Sequence, residues 1–406
     1  MHRLENIRNV FLGKDRESYS DNLSALSEIN KVIKIDIPFR DLNDNDKFKE
    51  HIKDINGVNL IGFMNSAIGL GHTSRLIITA LDKLKIPYLL AELDVVPDGS
   101  NKYKTIDRTI FDTNIVCMNP DITDAINEKY LVGKRNIGVW AWELEEVPIK
   151  WINESVNYEK IWTISKFCND IFKKKLINKN IVYLDYPVNY LKCDKDIARE
   201  HFNISKNKFI FLFLFDYNSD IERKNVQNLV NVFNKTFSNN PDVLLVLKTH
   251  SLPVANSLDL EYDNILIINK VLSIKDKNIL MNISDVYISL HRTEGYGLTI
   301  LESIMLEKPI ICTNYSGNLD FCDKEYIELV DGEMVEVDEN SFYKLRFEYD
   351  TPDVYWFEPD LDDASKKMID VYNNITFYEE RATKYKDVIS DRINDDKLFE
   401  FVKNNL

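Results

Sequence analysis

The run FIFLFLFD, residues 209–216, holds no polar residue until its last position and shows no alternation. A strand of that kind must be buried on both faces, and a parallel sheet covered by helices on either side is where such strands occur. The surrounding sequence fits that constraint. From Val58 the apolar runs VNLIGFMN, IPYLLAEL, NIVCMN, RNIGVWAWEL, EKIWTIS and NIVYLDYP alternate with helical or polar stretches, among them GLGHTSRLIITALDKL, a loop running into an amphipathic helix. A second series starts at FIFLFLFD and continues through the helical RKNVQNLVNVFNKTF, then VLLVLKTH, NILIINK and DVYISL. Two strand-helix series in tandem predict an α/β protein of two Rossmann-like, doubly wound domains facing a cleft, divided near residue 188. Ligands of such sheets lie beyond the carboxyl ends of the strands, so the loops there are the place to look for chemistry.

Composition narrows the function classes. A chain of 406 residues suits two domains, and 44% hydrophobic residues with 12 Gly and 11 Pro indicate ordered globular structure. The net charge of −15 argues against nucleic acid as a partner, because phosphate neutralisation needs a basic face. Cys117, Cys168, Cys193, Cys312 and Cys322 are scattered without zinc-site spacing and read as reduced thiols. The opening MHRLENIRNV lacks the apolar core of a signal peptide, and no apolar run reaches the length of a membrane span, so a cytoplasmic location is expected. The basic run FKKKLINKN, residues 172–180, has two readings: a solvated helix face, or a weak peripheral contact with the anionic inner face of the plasma membrane. Residues 1–57 contain one strand-like piece, KVIKIDI, and no nameable chemistry.

The chemistry concentrates in SLHRTEGYGLTILESIMLEKPIICTNYSGNLDF, residues 289–321. A strand delivers Glu294 into a Gly-Tyr-Gly turn, and a helix opening near Leu298 is expected to carry Glu302 in its first turn. Amides at Gly295, Tyr296, Gly297 and Leu298 suit an anionic or hydroxyl-rich ligand, and two carboxylates there can each hold a pair of sugar hydroxyls. Alone, such a pair of acids also fits a helix N-terminus that favours negative charge through its dipole.

The surrounding residues add specificity. Glu294 and Glu302 separated by seven residues, with Gly-Tyr-Gly-Leu between and KPIICTNYSGNLDF after, resemble the donor-site signature of the family 4 retaining glycosyltransferases, which have the GT-B fold. The resemblance runs from about Val58 to the end and is strongest over residues 211–321. TNYSGNLDF and the tryptophan-bearing strand are similar to members that build bacterial surface polysaccharides. It implies a hexosyltransferase that takes a UDP- or GDP-linked sugar as substrate and retains its anomeric configuration. No resident cofactor or metal is implied, and the acceptor would be a saccharide, a lipid-linked glycan or a protein. Glu294 would orient the donor sugar and Glu302 the ribose, while Lys224, Lys248 and Arg223 neutralise the departing diphosphate. The arginine that relatives often carry five positions before that lysine is here Ser219. The family's terminal helices imply that residues 376–406 return to the first domain, leaving 189–375 as the donor domain.

The same resemblance sets Gly69 and Gly71 against the donor phosphates. Gly-x-Gly after a strand, with Glu92 about 20 residues on, also suggests a dinucleotide fingerprint and hence an NAD-dependent oxidoreductase. Ser74 in place of the third small residue, and the long loop before it, count against that reading. A non-catalytic sugar-nucleotide-binding module is the remaining alternative. Relatives often place a histidine where this chain has Trp142 and Glu143, so these two become candidates for sugar or acceptor contact, and His72 and His291 join them because they sit in functional loops. Trp140 and Trp142 should share one strand face, with Glu143 on the other. Asp44 with Asp46, and Asp360 with Asp362 and Asp363, lack the context of a metal-phosphate site.

Overall fold

A computed structural model describes residues 55–406, apart from 67, 94–102, 104, 106–108, 185, 189, 191–198, 218, 251–261, 339–340, 346 and 348–352. KVIKIDI, Asp44, Asp46 and Cys193 fall outside the described residues.

The first sheet contains β1 (Val58–Gly62), β2 (Tyr88–Glu92), β3 (Thr113–Val116), β4 (Arg135–Trp140), β5 (Lys160–Thr163) and β6 (Asn180–Tyr183), in the order β2-β1-β3-β4-β5-β6. The second contains β7 (Phe209–Leu214), β8 (Val243–Thr249), β9 (Ile265–Asn269), β10 (Val286–Ser289), β11 (Ile310–Thr313) and β12 (Glu328–Val330), in the order β12-β11-β10-β7-β8-β9. Every pairing within these two sheets is parallel. FIFLFLFD forms the central strand β7, where Ile210, Phe211, Leu212 and Phe213 are at most 1% exposed. In each sheet the winding reverses beside the first strand, which opens a crevice between β1 and β3 and another between β7 and β10.

Across the first sheet, three buried asparagines stand side by side. Asn59 Nδ2 donates to Asn114 Oδ1 at 2.7 Å, and Asn114 Nδ2 donates to Asn136 Oδ1 at 2.7 Å. These residues are register partners on β1, β3 and β4. A one-residue slip would leave buried amides unpaired, so the ladder specifies register where apolar runs alone would permit sliding.

The helices follow the expected alternation with local corrections. Helix α1 (Gly69–Leu84) begins at Gly69, so GLGHTS forms its first turns instead of a loop. Helix α2 (Lys166–Lys175) buries Cys168, Ile171 and Phe172, which leaves the basic run as its outer side. RKNVQNLVNVFNKTF is two helices, α3 (Ile221–Lys224) and α4 (Val226–Phe237), because Asn225 between them is left-handed with φ of 55°. Beyond β9 comes α5 (Ile274–Ile283), and beyond β10 comes α6 (Leu298–Met305), whose N-cap Gly297 has φ of 90°. The helix opens at Leu298 as expected, but Glu302 is its fifth residue and so falls in the second turn instead of the first.

After β12, β13 (Gly332–Glu336) and β14 (Tyr355–Pro359) form an antiparallel ribbon, followed by α7 (Leu361–Asn373), α8 (Ile375–Arg392) and α9 (Asp395–Asn405). Of the segment 376–406, only α9 returns to the first domain. Arg135 and Lys160 donate to the carbonyls of Leu406 and Asn405, and Phe401 meets Trp162 edge-on at 5.1 Å. Helix α8 stays on the second domain, where Arg381 pairs with Glu328 and Tyr385 donates to the Phe321 carbonyl. Among the described residues no helix is long and apolar enough to cross a membrane.

Candidate active site

The two crevices face each other and enclose a cavity of about 480 Å³. Among the described residues, the lysines and arginines of its lining, Arg223, Lys224, Lys248 and Lys277, all come from the second domain together with Asp216, whereas the first domain contributes Asn119, Asp121 and Glu143. Glu294, Gly295, Tyr296, Gly297, Leu298 and Gly69 line it as well.

Glu294 is the centre of the basic wall. Its Oε1 accepts from Lys224 Nζ and lies 3.3 Å from Arg223 Nη1. Burial pushes this carboxyl up, yet Lys224 and Arg223 overcome it and hold the pKa at about 2. The pKa of Lys224 is lowered by burial and then by Arg223, against the pull of Glu294. The short helix α3 aims this pair: Asp220 caps it, and the left-handed Asn225 ends it after Lys224.

Arg223 is buried at 2% exposure. Its guanidinium donates to the Thr293 carbonyl at 2.8 Å and to Ser219 Oγ at 2.8 Å. Arg223 thus reaches back to the position where relatives carry their extra arginine. Burial opposes its charge, but Tyr343, Glu294, Glu143 and Asp220 raise its pKa beyond the usual arginine value.

Glu302 is 5% exposed and lies behind the lining. Its Oε1 accepts from Lys277 Nζ, while Oε2 is buried with no hydrogen-bond partner. Lys277, on α5, was not singled out in the sequence, because nothing local marks it. Lys248, one residue before the end of β8, lines the cavity, and its pKa falls to about 8 through burial, with Asp216 opposing the drop and Lys277 adding to it.

The glycines divide. Gly69 lines the cavity, but Gly71 does not: a Cβ there would lie 2.5 Å from the Ser66 carbonyl oxygen and 2.6 Å from that of Phe63. Gly71 therefore seats the β1–α1 loop on its own helix. Gly317 matters more than SGNLDF suggested. A Cβ there would come 2.2 Å from the Gly295 carbonyl oxygen, and its amide donates to the Glu294 carbonyl at 2.9 Å. Ser316 Oγ accepts from the Glu294 amide at 2.8 Å, so residues 316–317 hold Glu294 from behind.

The turn after β10 also joins the domains. Thr293 Oγ1 donates to the Glu143 carbonyl at 2.5 Å, and the Tyr296 hydroxyl donates to the Tyr186 carbonyl at 3.2 Å.

Several acceptor-side expectations change. Strand β4 stops at Trp140, so face alternation does not extend to Trp142 and Glu143. Trp142 is wholly buried, donates from Nε1 to the Glu146 carbonyl and packs on Trp151 at 4.6 Å; it has no face for a sugar ring. Glu143 does line the cavity. His291 is wholly buried, with its ring nitrogens at 2.9 Å from Ser289 Oγ and 3.0 Å from Asn318 Oδ1. Burial lowers its pKa to about 4. His72 stands outside the lining, and burial, with Lys277 and Arg75 nearby, lowers its pKa to about 3. Burial disfavours the charged form of both imidazoles; His291 is held at both ring nitrogens, whereas His72 Nε2 has no hydrogen-bond partner among the described residues. Among the described residues no group of three or more His, Cys, Asp or Glu side chains is placed to hold a metal ion.

Residues 194–339 match the family model described as glycosyl transferases group 1. No curated protein matches the chain in sequence. Solved structures share its fold. Sucrose-phosphate synthase from Thermosynechococcus elongatus superposes with a TM-score of 0.62 at 10% identity, over 86% of this chain and 98% of that one. WaaG, a glycosyltransferase involved in lipopolysaccharide biosynthesis, gives 0.58 at 11% identity, over 85% and 98%. HepE of Anabaena, solved with UDP and glucose, gives 0.56 at 10% identity, over 86% and 98%. TarM gives 0.52 at 13% identity, and this chain spans only 54% of it. At these identities the likeness establishes the GT-B fold.

Proposed function

We propose that the protein is a retaining glycosyltransferase that moves a hexose from a UDP- or GDP-linked donor to a saccharide, lipid-linked or protein acceptor. Bacterial glycan synthesis is the expected setting, by the resemblance of TNYSGNLDF. One observation carries the reading: Glu294 is clasped by Lys224 and Arg223 on a basic wall that also holds Lys248, with the half-satisfied Glu302 beneath it. Each part has a task in breaking the bond between the anomeric carbon and the diphosphate oxygen. The bond electrons leave with the diphosphate, and Lys224, Lys248 and Arg223 meet the charge that grows on it. Glu294, ionised and fixed, receives hydroxyls of the sugar, while Glu302 receives the ribose diol. The acceptor hydroxyl attacks the face the diphosphate leaves, and its proton passes to a phosphate oxygen. These cations neutralise the leaving group without a metal ion.

The test is thermal stabilisation of the protein by UDP-, GDP-, ADP- and dTDP-sugars, followed by proton NMR of the product in excess chelator. The reading expects stabilisation by at least one donor and a product with the donor's anomeric configuration. Stabilisation by none would overturn glycosyl transfer. An inverted anomer would overturn retention alone, and a strict need for magnesium or manganese would overturn the metal-independent leaving-group scheme.

A further inference from the structure

The basic wall accounts for the diphosphate and leaves the first-domain side of the cavity without an assigned role. From that side come Asn119, Asp121 and Glu143, and Tyr343 of the second domain lines the same cavity. Tyr343 belongs to none of the sheet-edge loops. It sits on a short segment between β13 and β14, and that ribbon grows from the end of β12.

The ribbon is anchored beside the catalytic loops. Arg292, two residues before Glu294, pairs with Glu358, and its guanidinium lies over Trp356 at 4.9 Å. Asn225 and Asn228 both donate to Glu358 Oε1, and Phe357 stacks on Tyr315 at 5.3 Å. From this base the segment crosses to the first domain. The ring of Tyr343 lies 5.5 Å from Trp142, and Phe347 lies 6.2 Å from the same indole. Tyr343 is 3% exposed, and Lys344 beside it is tied to Glu336 at 2.8 Å. The buried Trp142, which offers no face to a sugar, is therefore the seat on which the ribbon's aromatics rest.

A ring fixed in this way also borders the reacting centre, since Tyr343 lines the same cavity as Arg223 and Glu294, which lie 3.3 Å apart. On the glycosyl-transfer reading, we propose that Tyr343 is the cross-cleft wall of the acceptor subsite: it positions a hydroxyl-rich acceptor against Asp121 and Glu143 and keeps water from the donor's anomeric carbon. The two carboxylates that the first domain brings to the cavity, Asp121 and Glu143, suit such an acceptor because carboxylates accept from hydroxyls. A rigid aromatic wall suits the apolar face of a sugar ring while leaving its hydroxyls to the acids.

The experiment compares wild type, Tyr343→Ala and Tyr343→Phe, using whichever sugar donor of the UDP, GDP, ADP and dTDP panel the wild type hydrolyses fastest. Opening the wall should raise acceptor-free hydrolysis about threefold or more in Tyr343→Ala, with affinity for the matching nucleoside diphosphate held within about twofold. Tyr343→Phe keeps the ring and should retain the slow wild-type hydrolysis. Hydrolysis at the wild-type rate in Tyr343→Ala would overturn the proposal. So would parallel loss of nucleotide affinity in Tyr343→Ala and Tyr343→Phe, which would put the residue in the donor site. Melting curves of the variants separate these results from unfolding. A wild type that binds no nucleotide of the panel would overturn glycosyl transfer itself, and this inference with it.

Discussion

Glu302→Ala tests the nucleotide half-site most directly. Oε1 is engaged by Lys277, and Oε2 is buried without a hydrogen-bond partner among the described residues. A ribose diol would supply the missing donor to Oε2 and compete with Lys277 for Oε1. Hydrogen bonds to a charged group are worth about 1.5–3 kcal/mol each. The competition with Lys277 returns part of that, so the net loss should be about 1–3 kcal/mol, or roughly 5- to 150-fold in UDP affinity. Folding should suffer little, because the substitution removes an unsatisfied buried oxygen and Lys277, at 29% side-chain exposure, can turn to water. Calorimetry with UDP and 2′,3′-dideoxy-UDP on both proteins closes the cycle. Wild type should prefer UDP by the same factor, and the mutant should bind the two alike. Equal UDP affinity in wild type and mutant would refute the ribose assignment, and a mutant that still prefers UDP would place the diol elsewhere.

Lys248 should make diphosphate binding depend on pH. The protonated amine binds the anion, its pKa is lowered to about 8 by burial, and a bound diphosphate would raise it. Affinity should therefore hold between about pH 7 and 8 and fall above, by up to about tenfold per pH unit. Calorimetry on Lys248→Met should show weaker and pH-flat binding, and a flat wild-type profile would exclude Lys248 as a contact. Gly317→Ala drives a methyl into the Gly295 carbonyl and should cut turnover by about a hundredfold or more, since a displaced Glu294 loop loses its aim; full activity would mean that this loop yields freely. Asn114→Leu breaks the buried ladder and should cost about 2–4 kcal/mol in urea unfolding, because Asn136 Oδ1 loses its donor. A loss under about 0.5 kcal/mol would deny the ladder a structural role.

The architecture was legible in the sequence because its signals are local. FIFLFLFD needs no partner to declare itself a doubly buried strand, and the alternation of such runs with amphipathic stretches leaves little but two parallel sheets. The placement of Glu294 was legible for the same reason: strand, turn, glycines and helix are contiguous, so spacing along the chain is spacing in space. The sequence could not say what the rest of the chain brings to that stretch. Lys277 reaches Glu302 from a helix beyond another strand, and Gly317 supports Glu294 through backbone contact. Trp142 and His291 looked available because they stand near functional loops, yet the layers packed over them bury both completely. Asn59, Asn114 and Asn136 read as ordinary polar residues until parallel register set them side by side. Burial and long-range pairing depend on which surfaces meet, and only the tertiary structure brings Tyr343 across the cleft to Trp142.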